Sequence, residues 1–100
     1  MNAFDPILLS QVRLGVVSIL LSRGEASFSD LRSVLGSTQG NLGTHLQKLE
    51  DSGYIALKKG FSGRKPQTIV RLTAKGRRAL LKHVASLQRI VEDGDEGAST

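Results

Sequence analysis

Apolar residues recur every three or four positions in four segments of this chain, which is the spacing of one helical face. This spacing predicts helices over residues 6–22, 30–36, 38–52 and 74–91. In YIALKK and TIVRL the apolar residues fall at alternate positions, which predicts two strands. The segment ASF predicts a very short strand before the second helix. The eight residues GFSGRKPQ predict a long, basic loop between the two longer strands.

Capping residues support these helix boundaries. Asp5, which precedes a proline, places a carboxylate at the first N-cap. Ser29 is the expected cap of the second helix, and Thr73 is the expected cap of the fourth. Either Ser37 or Thr38 can cap the third helix.

The predicted order is helix, short strand, helix, helix, hairpin, helix. Two helices joined by a tight turn and followed by a basic hairpin are typical of a winged helix-turn-helix, a mainly α fold with a small antiparallel β-sheet. The helix over about 37–52 is then the recognition helix, predicted to lie in the major groove of DNA. The hairpin over 58–68 is the wing, predicted to contact the DNA backbone or the minor groove.

Charge is segregated along the chain. The sequence has 14 lysines and arginines, 9 acidic residues and a net charge of +5. Ten of the basic residues and none of the acidic ones lie between Ser52 and Val91. Such a strongly basic segment favours a polyanionic partner, here double-stranded DNA. A basic face that is simply solvated is the alternative.

The recognition helix contains Gly40 and Gly43, each of which costs about 0.5–1 kcal/mol in a helix interior. On a helical wheel Gly40 falls opposite the leucine stripe and Gly43 on its flank. We expect both to allow close approach of the helix backbone to DNA, and an irregular first turn that tolerates glycine is the alternative. The residues predicted to contact DNA are polar or small in this helix and basic in the wing: Ser37, Thr38, Gln39, Gly40, Asn41, Thr44, His45, Lys48, Lys58, Lys59, Arg64 and Lys65.

Some residues near this surface have strong structural alternatives. His45 lies near the core edge, where a packed or capping role competes with DNA contact. Phe61 is expected to pack at the base of the wing, and stacking on a DNA base is the alternative. Arg77 and Arg78 at the start of the last helix fit phosphate contacts and a solvated face equally well.

Two helices carry more apolar surface than one small domain needs. The first helix has two apolar stripes, and the last repeats apolar residues with 4-3-4 spacing. Leu80 and Val84 are expected to cover the core, whereas the residues beyond them would be exposed in a monomer. We therefore expect a homodimer through about 5–22 and 73–91. Its predicted interface residues are Leu14, Val17, Leu21, Leu87, Ile90 and Val91.

Three segments resemble the compact single-domain winged-helix transcriptional regulators of the MarR/ArsR-like superfamily: GNLGTHLQKLEDSGYI, GFSGRKPQTIVRLTAKGRRAL and DPILLSQVRLGVVSILL. The resemblance covers about residues 5–90. It implies a dimeric, sequence-specific DNA-binding regulator, usually a repressor. The family's contacts would map onto Thr38, Gln39, Asn41, Thr44 and His45 in the recognition helix and onto Arg64 and Lys65 in the wing. With no added effector domain, a small-molecule effector, of unknown identity, would have to bind at the dimer interface.

Other function classes have less support. The chain has no cysteine, which excludes a disulfide framework and a cysteine nucleophile, and metal-sensing relatives use cysteine ligands. Its two histidines alone make a poor metal site. There is no glycine-rich phosphate loop between a strand and a helix. We therefore predict no catalytic residue, no metal, no cofactor and no enzymatic activity. A winged-helix module for protein–protein interaction is the alternative function.

One domain is expected over residues 1–91. The acidic segment 92–100, which contains glycine and serine, is predicted to be a disordered tail. The longest apolar-rich stretch, PILLSQVRLGVVSILLS, is too short and too interrupted to span a membrane, and it is not a convincing signal peptide. These features favour a cytoplasmic protein.

Overall fold

The computed structural model describes the backbone of residues 4–99 and the side chains of residues 4–93. A short 3₁₀ helix, Pro6–Leu9, comes first. It is followed by α1 (Gln11–Arg23), β1 (Glu25–Ser27), α2 (Phe28–Leu35), α3 (Gln39–Asp51), β2 (Ile55–Ser62), β3 (Lys65–Leu72) and α4 (Ala74–Ser99). This order confirms the predicted winged helix-turn-helix.

Local hydrogen bonds explain where the first helices begin. The Oδ1 of Asp5 accepts a bond from the Ile7 N–H at 2.9 Å and starts the 3₁₀ helix. Ser10 is then extended, and its hydroxyl oxygen accepts a bond from the Arg13 N–H at 3.3 Å to cap α1. The prediction of one helix over 6–22 is therefore wrong, because a second capping residue divides it.

The helix-turn-helix is capped at both of its helices. Ser27 accepts a bond from the Asp30 N–H at 3.1 Å, so Ser27 is the cap of α2 and the prediction of Ser29 is wrong by two residues. The reason is that α2 begins directly after β1. Thr38 accepts a bond from the Asn41 N–H at 3.1 Å and is the cap of α3. Three residues separate α2 from α3, which confirms the predicted tight turn.

The strands form one antiparallel sheet in the order β1-β3-β2. β2 and β3 pair along their whole length, starting with Ile55 opposite Leu72. Only Gly63 and Arg64 remain for the turn, and Gly63 has φ +65°, as the first central residue of a type II′ turn requires. The predicted eight-residue loop is therefore wrong, because this glycine closes the hairpin in two residues and the flanking residues extend the strands.

The core surrounds α1, which packs against α2, α3, α4 and β3. Val16, Val17 and Leu20 of α1 are completely buried. Val17 therefore cannot lie in a dimer interface, and that prediction is wrong. The prediction fails at Val17 because elements of the same chain cover this part of the second apolar stripe of α1. Leu14 and Leu21 are partly buried against this core. The other buried apolar residues are Leu8, Ala26, Leu31, Leu42, Leu46, Leu49, Ile55, Val70 and Leu80.

The first turn of α4 is joined to the segment between α3 and β2. Thr73 caps the helix, since its hydroxyl oxygen accepts a bond from the Gly76 N–H at 3.0 Å. The same hydroxyl donates to the Gly53 carbonyl oxygen at 2.6 Å. An ideal Cβ on Gly76 would lie 2.2 Å from the carbonyl oxygen of Tyr54. Only glycine fits at this close approach.

Further along, α4 differs from two predictions. Leu80 is buried as expected, but Val84 is 39% exposed and His83 is buried instead, at 3% exposure. The side of α4 that faces the core thus passes through positions i and i+3 rather than i and i+4. The backbone stays helical to Ser99, whereas residues 92–100 were predicted to be disordered. No proline stops the helix in this segment, and residue 100 lies outside the described part of the chain.

Candidate nucleic-acid interface

α3 has one buried face and one polar face. Leu42, Leu46 and Leu49 lie in the core, so the opposite side of the helix faces solvent. An ideal Cβ on Gly40 or Gly43 would meet nothing within 4 Å beyond the neighbouring helix backbone, so the packing of the domain does not require either glycine. Of the predicted contact residues in this segment, Ser37 and His45 are half-buried, and the exposed ones are Thr38, Gln39, Gly40, Asn41, Thr44 and Lys48.

Short hydrogen bonds order the side chains at the start of α3. The amide nitrogen of Asn41 donates to the Ser37 hydroxyl at 3.2 Å, and Ser37 donates to the Thr38 carbonyl oxygen at 3.2 Å. The Thr44 hydroxyl donates to the Gly40 carbonyl oxygen at 3.0 Å. The single hydroxyl hydrogen of Thr44 is used, so its Oγ1 presents acceptor lone pairs, and Asn41 keeps both its Oδ1 acceptor and a second Nδ2 hydrogen. Such acceptors suit the amino groups of adenine and cytosine.

His45 connects α3 to α1. Its Nδ1 lies 3.0 Å from an Nη of Arg13, whose Nε donates to the Ile7 carbonyl oxygen at 2.6 Å. Since a guanidinium can only donate, Nδ1 is the acceptor and the proton of the neutral ring is on Nε2. Burial, then the charges of Arg13 and Lys48, lower the pKa of His45 below its ordinary value of 6.5. The predicted contact residue is therefore also a structural link, with an N–H on its other nitrogen.

The wing presents its basic residues at the turn and along β2. Arg64 lies in the turn and Lys65 directly follows it, and both are exposed. Lys58 and Lys59 are also exposed, and as neighbours in a strand they project from opposite faces of the hairpin. Phe61 lies two residues before the turn and is 74% exposed. The prediction that it packs at the base of the wing is wrong, because the strands extend beyond the core.

A groove of about 330 Å³ lies between the start of α2, the start of α3 and β3. Of the residues that line this groove, only Gln39 was predicted to contact DNA. The sequence analysis missed the other polar side chains in the groove. Ser29 and Arg32 are three residues apart in α2, so a helical wheel could have placed them on one exposed side. The groove is lined by Phe28, Ser29, Arg32, Gln39, Pro66, Gln67 and Thr68.

Comparison with known proteins places this geometry in a family. Residues 12–91 match the family model described as a winged helix DNA-binding domain. The chain belongs to the winged helix DNA-binding domain family. In the terms of this fold, α3 is the recognition helix and the β2–β3 hairpin is the wing.

The winged helix domain is similar to several archaeal and bacterial proteins. An uncharacterized protein of Methanocaldococcus jannaschii is 32% identical over 81 residues, which cover 81% of this chain and 88% of that protein. The structure of a transcriptional regulator homologue from Pyrococcus horikoshii OT3 has a TM-score of 0.84 and 36% identity, and the match covers 89% of this chain and 88% of that one. PadR of Bacillus subtilis, solved with operator DNA, has a TM-score of 0.65 and 25% identity, over 75% of this chain and 48% of PadR.

These matches confirm the predicted winged-helix transcriptional regulator, a protein that binds DNA. In the part of the chain that the structure describes, no group of three or more histidine and acidic side chains is placed to hold a metal ion. Within the same part, no helix is both long enough and apolar enough to cross a membrane.

Proposed function

We propose that this protein is a sequence-specific transcriptional repressor that acts as a homodimer in the cytoplasm, by binding DNA and not by catalysis. In this proposal α3 lies in the major groove, and the wing contacts the adjacent backbone or minor groove. The observation that carries it is the placement of the polar face of α3 and the basic wing on two sides of one groove in the protein.

The groove fits a phosphate backbone in its position and its chemistry. When a helix occupies the major groove and a hairpin the neighbouring minor groove, the DNA strand between those grooves has to pass between the two protein elements. Here that place is lined by Ser29, Arg32 and Thr68. Hydroxyls and a guanidinium are the donors that phosphate oxygens prefer. We therefore expect these three residues to position the protein on DNA.

The charge of the wing supports the same arrangement. Lys59, Arg64 and Lys65 are exposed in a segment that contains no acidic residue. By contrast, Arg71 at the other end of β3 forms an ion pair with Glu25 of β1, at 3.0 Å. Within the described residues the basic groups near the turn form no such ion pair, so they can neutralise an anionic partner.

Loss of the two basic residues at the turn is the first test. The double variant Arg64→Ala/Lys65→Ala should bind all DNA sequences more weakly. It should also reduce the magnitude of the slope of log K against log salt concentration by about two, because fewer counterions are released from DNA when two phosphate contacts are lost. Arg71→Ala is the matched control, since Glu25 already neutralises that charge. Fluorescence anisotropy across a salt series measures both quantities. Equal binding of the double variant and the wild type at every salt concentration contradicts the role given to the wing.

Sequence preference is the second test. Gln39→Ala and Asn41→Ala should change which genomic fragments are selected, because a bidentate amide contact to adenine gives about 1–3 kcal/mol of discrimination. Gln88→Ala on α4 removes an exposed amide away from α3 and should leave the selected sequences unchanged. Reduced transcription in vitro from a template with the selected operator supports repression, and increased transcription overturns it. A protein that selects no DNA but captures a specific protein partner would favour an interaction module instead.

The homodimer is proposed through α4. Its 26 residues span about 39 Å at 1.5 Å per residue, in a molecule whose longest dimension is 62 Å. Beyond Leu80, one side of the helix leaves apolar side chains partly exposed: Val84 at 39%, Leu87 at 41%, Ile90 at 43% and Val91 at 61%. A single small domain rarely leaves such a continuous apolar strip in water. The same strip of a second copy would cover it.

A charge placed in this strip tests the dimer. Leu87→Glu should produce monomers at micromolar protein concentration in analytical ultracentrifugation while the fold remains intact, because the side chain is already partly exposed. Ala85→Glu adds the same charge about 160° away around the helix and is the control, at 100° per residue. A wild-type protein that sediments as a monomer would overturn the dimer without affecting the interpretation of the wing.

A further inference from the structure

Phe61 is the most exposed of the large apolar side chains described, at 74% against 64% for Leu9. It lies in the regular part of the wing, where β2 and β3 pair residue by residue. The ladder places Phe61 opposite Pro66, one position before the pair that closes the turn. A continuously paired hairpin thus holds an aromatic ring and a proline next to each other, near its tip and away from the core.

The register gives the side of the wing on which the ring lies. Alternate residues of a strand share one face, so Phe61 is on the same face as Ile55, which is buried in the core. Pro66, its partner across the ladder, lines the groove together with Gln39 of α3. The ring is therefore on the side of the wing that faces the recognition helix. It lies six residues beyond Ile55, or about 20 Å along the strand at roughly 3.3 Å per residue.

The surroundings of the ring are cationic. Lys59 projects from the same face of β2, and Arg64 and Lys65 lie at the turn. No acidic residue occurs from Ser52 to Val91. An apolar protein partner would have to desolvate these charges, whereas a nucleic acid supplies phosphates for them and apolar base and sugar surfaces for the ring.

We propose that Phe61, supported by Pro66, is an apolar wedge that enters the minor groove and partly unstacks one base-pair step. The proposal rests on the proposed function, which places the wing beside that groove. Phenylalanine and proline are among the residues that kink DNA in this way, by about 20–90° toward the major groove. The kink makes Phe61 a specificity-determining residue without a hydrogen bond to any base. Operators should carry a flexible pyrimidine–purine step, such as TA or CA, at the position of the wing.

Binding and DNA bending by the full chain test this inference, with an operator selected by the wild type. Energy transfer between dyes at the two DNA ends measures the bend, and a fluorescent adenine analogue at the candidate step reports unstacking. The wild type should bend the DNA and increase the fluorescence of the adenine analogue. Phe61→Ala should abolish both signals and weaken binding about tenfold, with an unchanged salt slope because no phosphate contact is lost. Phe61→Leu should keep most of the bend, since leucine is also a wedge residue.

Val34→Ala is the matched control, because it truncates another exposed apolar side chain, one that does not line the groove. Circular dichroism and the melting temperature should be the same for all variants. If Phe61→Ala binds and bends the operator like the wild type, the wedge is overturned while the proposed function stands. Weaker binding by Phe61→Ala to a DNA that the wild type leaves straight and stacked also overturns the wedge. A wild type that binds no DNA removes the proposed function and the wedge together.

Discussion

Replacement of Gly40 by alanine should stabilise the free protein while it weakens DNA binding. Gly40 is the second residue of α3, has an open surface around it, and leaves room for a methyl group. Alanine gains about 0.5–1 kcal/mol over glycine inside a helix, chiefly because glycine loses more backbone freedom on folding. The gain at Gly40 should fall at the lower end, because its N–H has no partner within the first turn of the helix. At roughly 4–8 °C per kcal/mol, the melting temperature should rise by at least about 2 °C.

Gly43 provides an internal comparison for this stability effect. It is the fifth residue of α3, and a Cβ there also meets nothing within 4 Å. Because it lies inside the hydrogen-bonded part of the helix, Gly43→Ala should reach the upper end of the same range, about 1 kcal/mol. Chemical denaturation of both variants therefore tests whether each glycine is a cost to the folded state.

DNA binding should respond in the opposite direction. Gly40 lies opposite the buried leucines, so a methyl group there projects toward the major groove in the proposed complex. Forcing an extra methyl group into a closely packed contact costs about 1–3 kcal/mol, which corresponds to a roughly fivefold or larger loss of affinity. Anisotropy titration with the selected operator measures it. A Gly40→Ala protein that is more stable and binds equally tightly would refute close backbone approach, and the glycine would then be merely tolerated.

Three further predictions follow from contacts inside the domain. Gly76→Ala should lower the free energy of unfolding by about 1–3 kcal/mol in chemical denaturation, because its methyl group would collide with the Tyr54 carbonyl oxygen, and an unchanged stability would contradict the close approach. Tyr54 is the sole tyrosine; burial and the hydrogen bond from its hydroxyl to Asp5 raise its pKa to about 12. An ultraviolet titration should therefore show a midpoint near 12, and Asp5→Asn should lower this midpoint. The contribution of the protonated Tyr54 hydroxyl to the stability of the fold is complete below the ordinary pKa of 10.0 and is lost as the pH rises through about 12. The pKa of His45 is lowered in the folded protein, so the unfolded chain binds a proton more readily. The free energy of unfolding of the wild type should therefore fall as the pH falls through 6.5, and it should fall more than that of His45→Gln. Glutamine keeps a hydrogen-bond acceptor for Arg13 but does not titrate.

The sequence predicts the fold well where local signals agree with tertiary packing. The leucine spacing of α3, a cap at Ser37 or Thr38 and the tight turn before it all predict the same helix, and the structure confirms it with Thr38 as the cap. The wing loop was predicted too long because glycine and proline are usual loop residues. Pro66 is compatible with a strand here because β1 pairs only with residues 69–71, so at position 66 β3 has a neighbour on one side only.

The site could be predicted only as far as one element at a time reveals it. The polar face of α3 and the basic turn of the wing are each visible as a pattern within one segment. The groove between them combines Arg32 of α2 with Thr68 of β3, and their proximity depends on how α2 packs against the sheet. Likewise, the Arg13 to His45 hydrogen bond joins residues 32 positions apart. Periodicity has no signal for either pairing.

The apolar stripes of α1 and α4 look alike in sequence, but they end in different environments. Val17 is enclosed because α1 is the central helix, whereas Leu87 is 41% exposed because α4 extends past the other elements. A helix period identifies which residues share a face; it does not tell whether the same chain covers that face. The structure therefore removes Val17 from the predicted dimer surface, whereas Leu14 and Leu21 stay predictions and the outer part of α4 supplies the more exposed apolar strip.

The wing and the proposed dimer helix meet at one junction. The Tyr54 carbonyl oxygen accepts a bond from the Thr73 N–H at 3.1 Å and lies directly against Gly76 of α4. Tyr54 immediately precedes β2, which begins at Ile55, and Thr73 immediately follows β3, which ends at Leu72. Both strands of the wing are therefore anchored next to the first turn of α4. The wing therefore cannot change its angle to α4 without breaking these contacts. In a dimer built on α4, a change in how the two α4 helices pack would move each wing and its α3 together as one body, and would alter the distance between the two DNA half-sites that the dimer can bind.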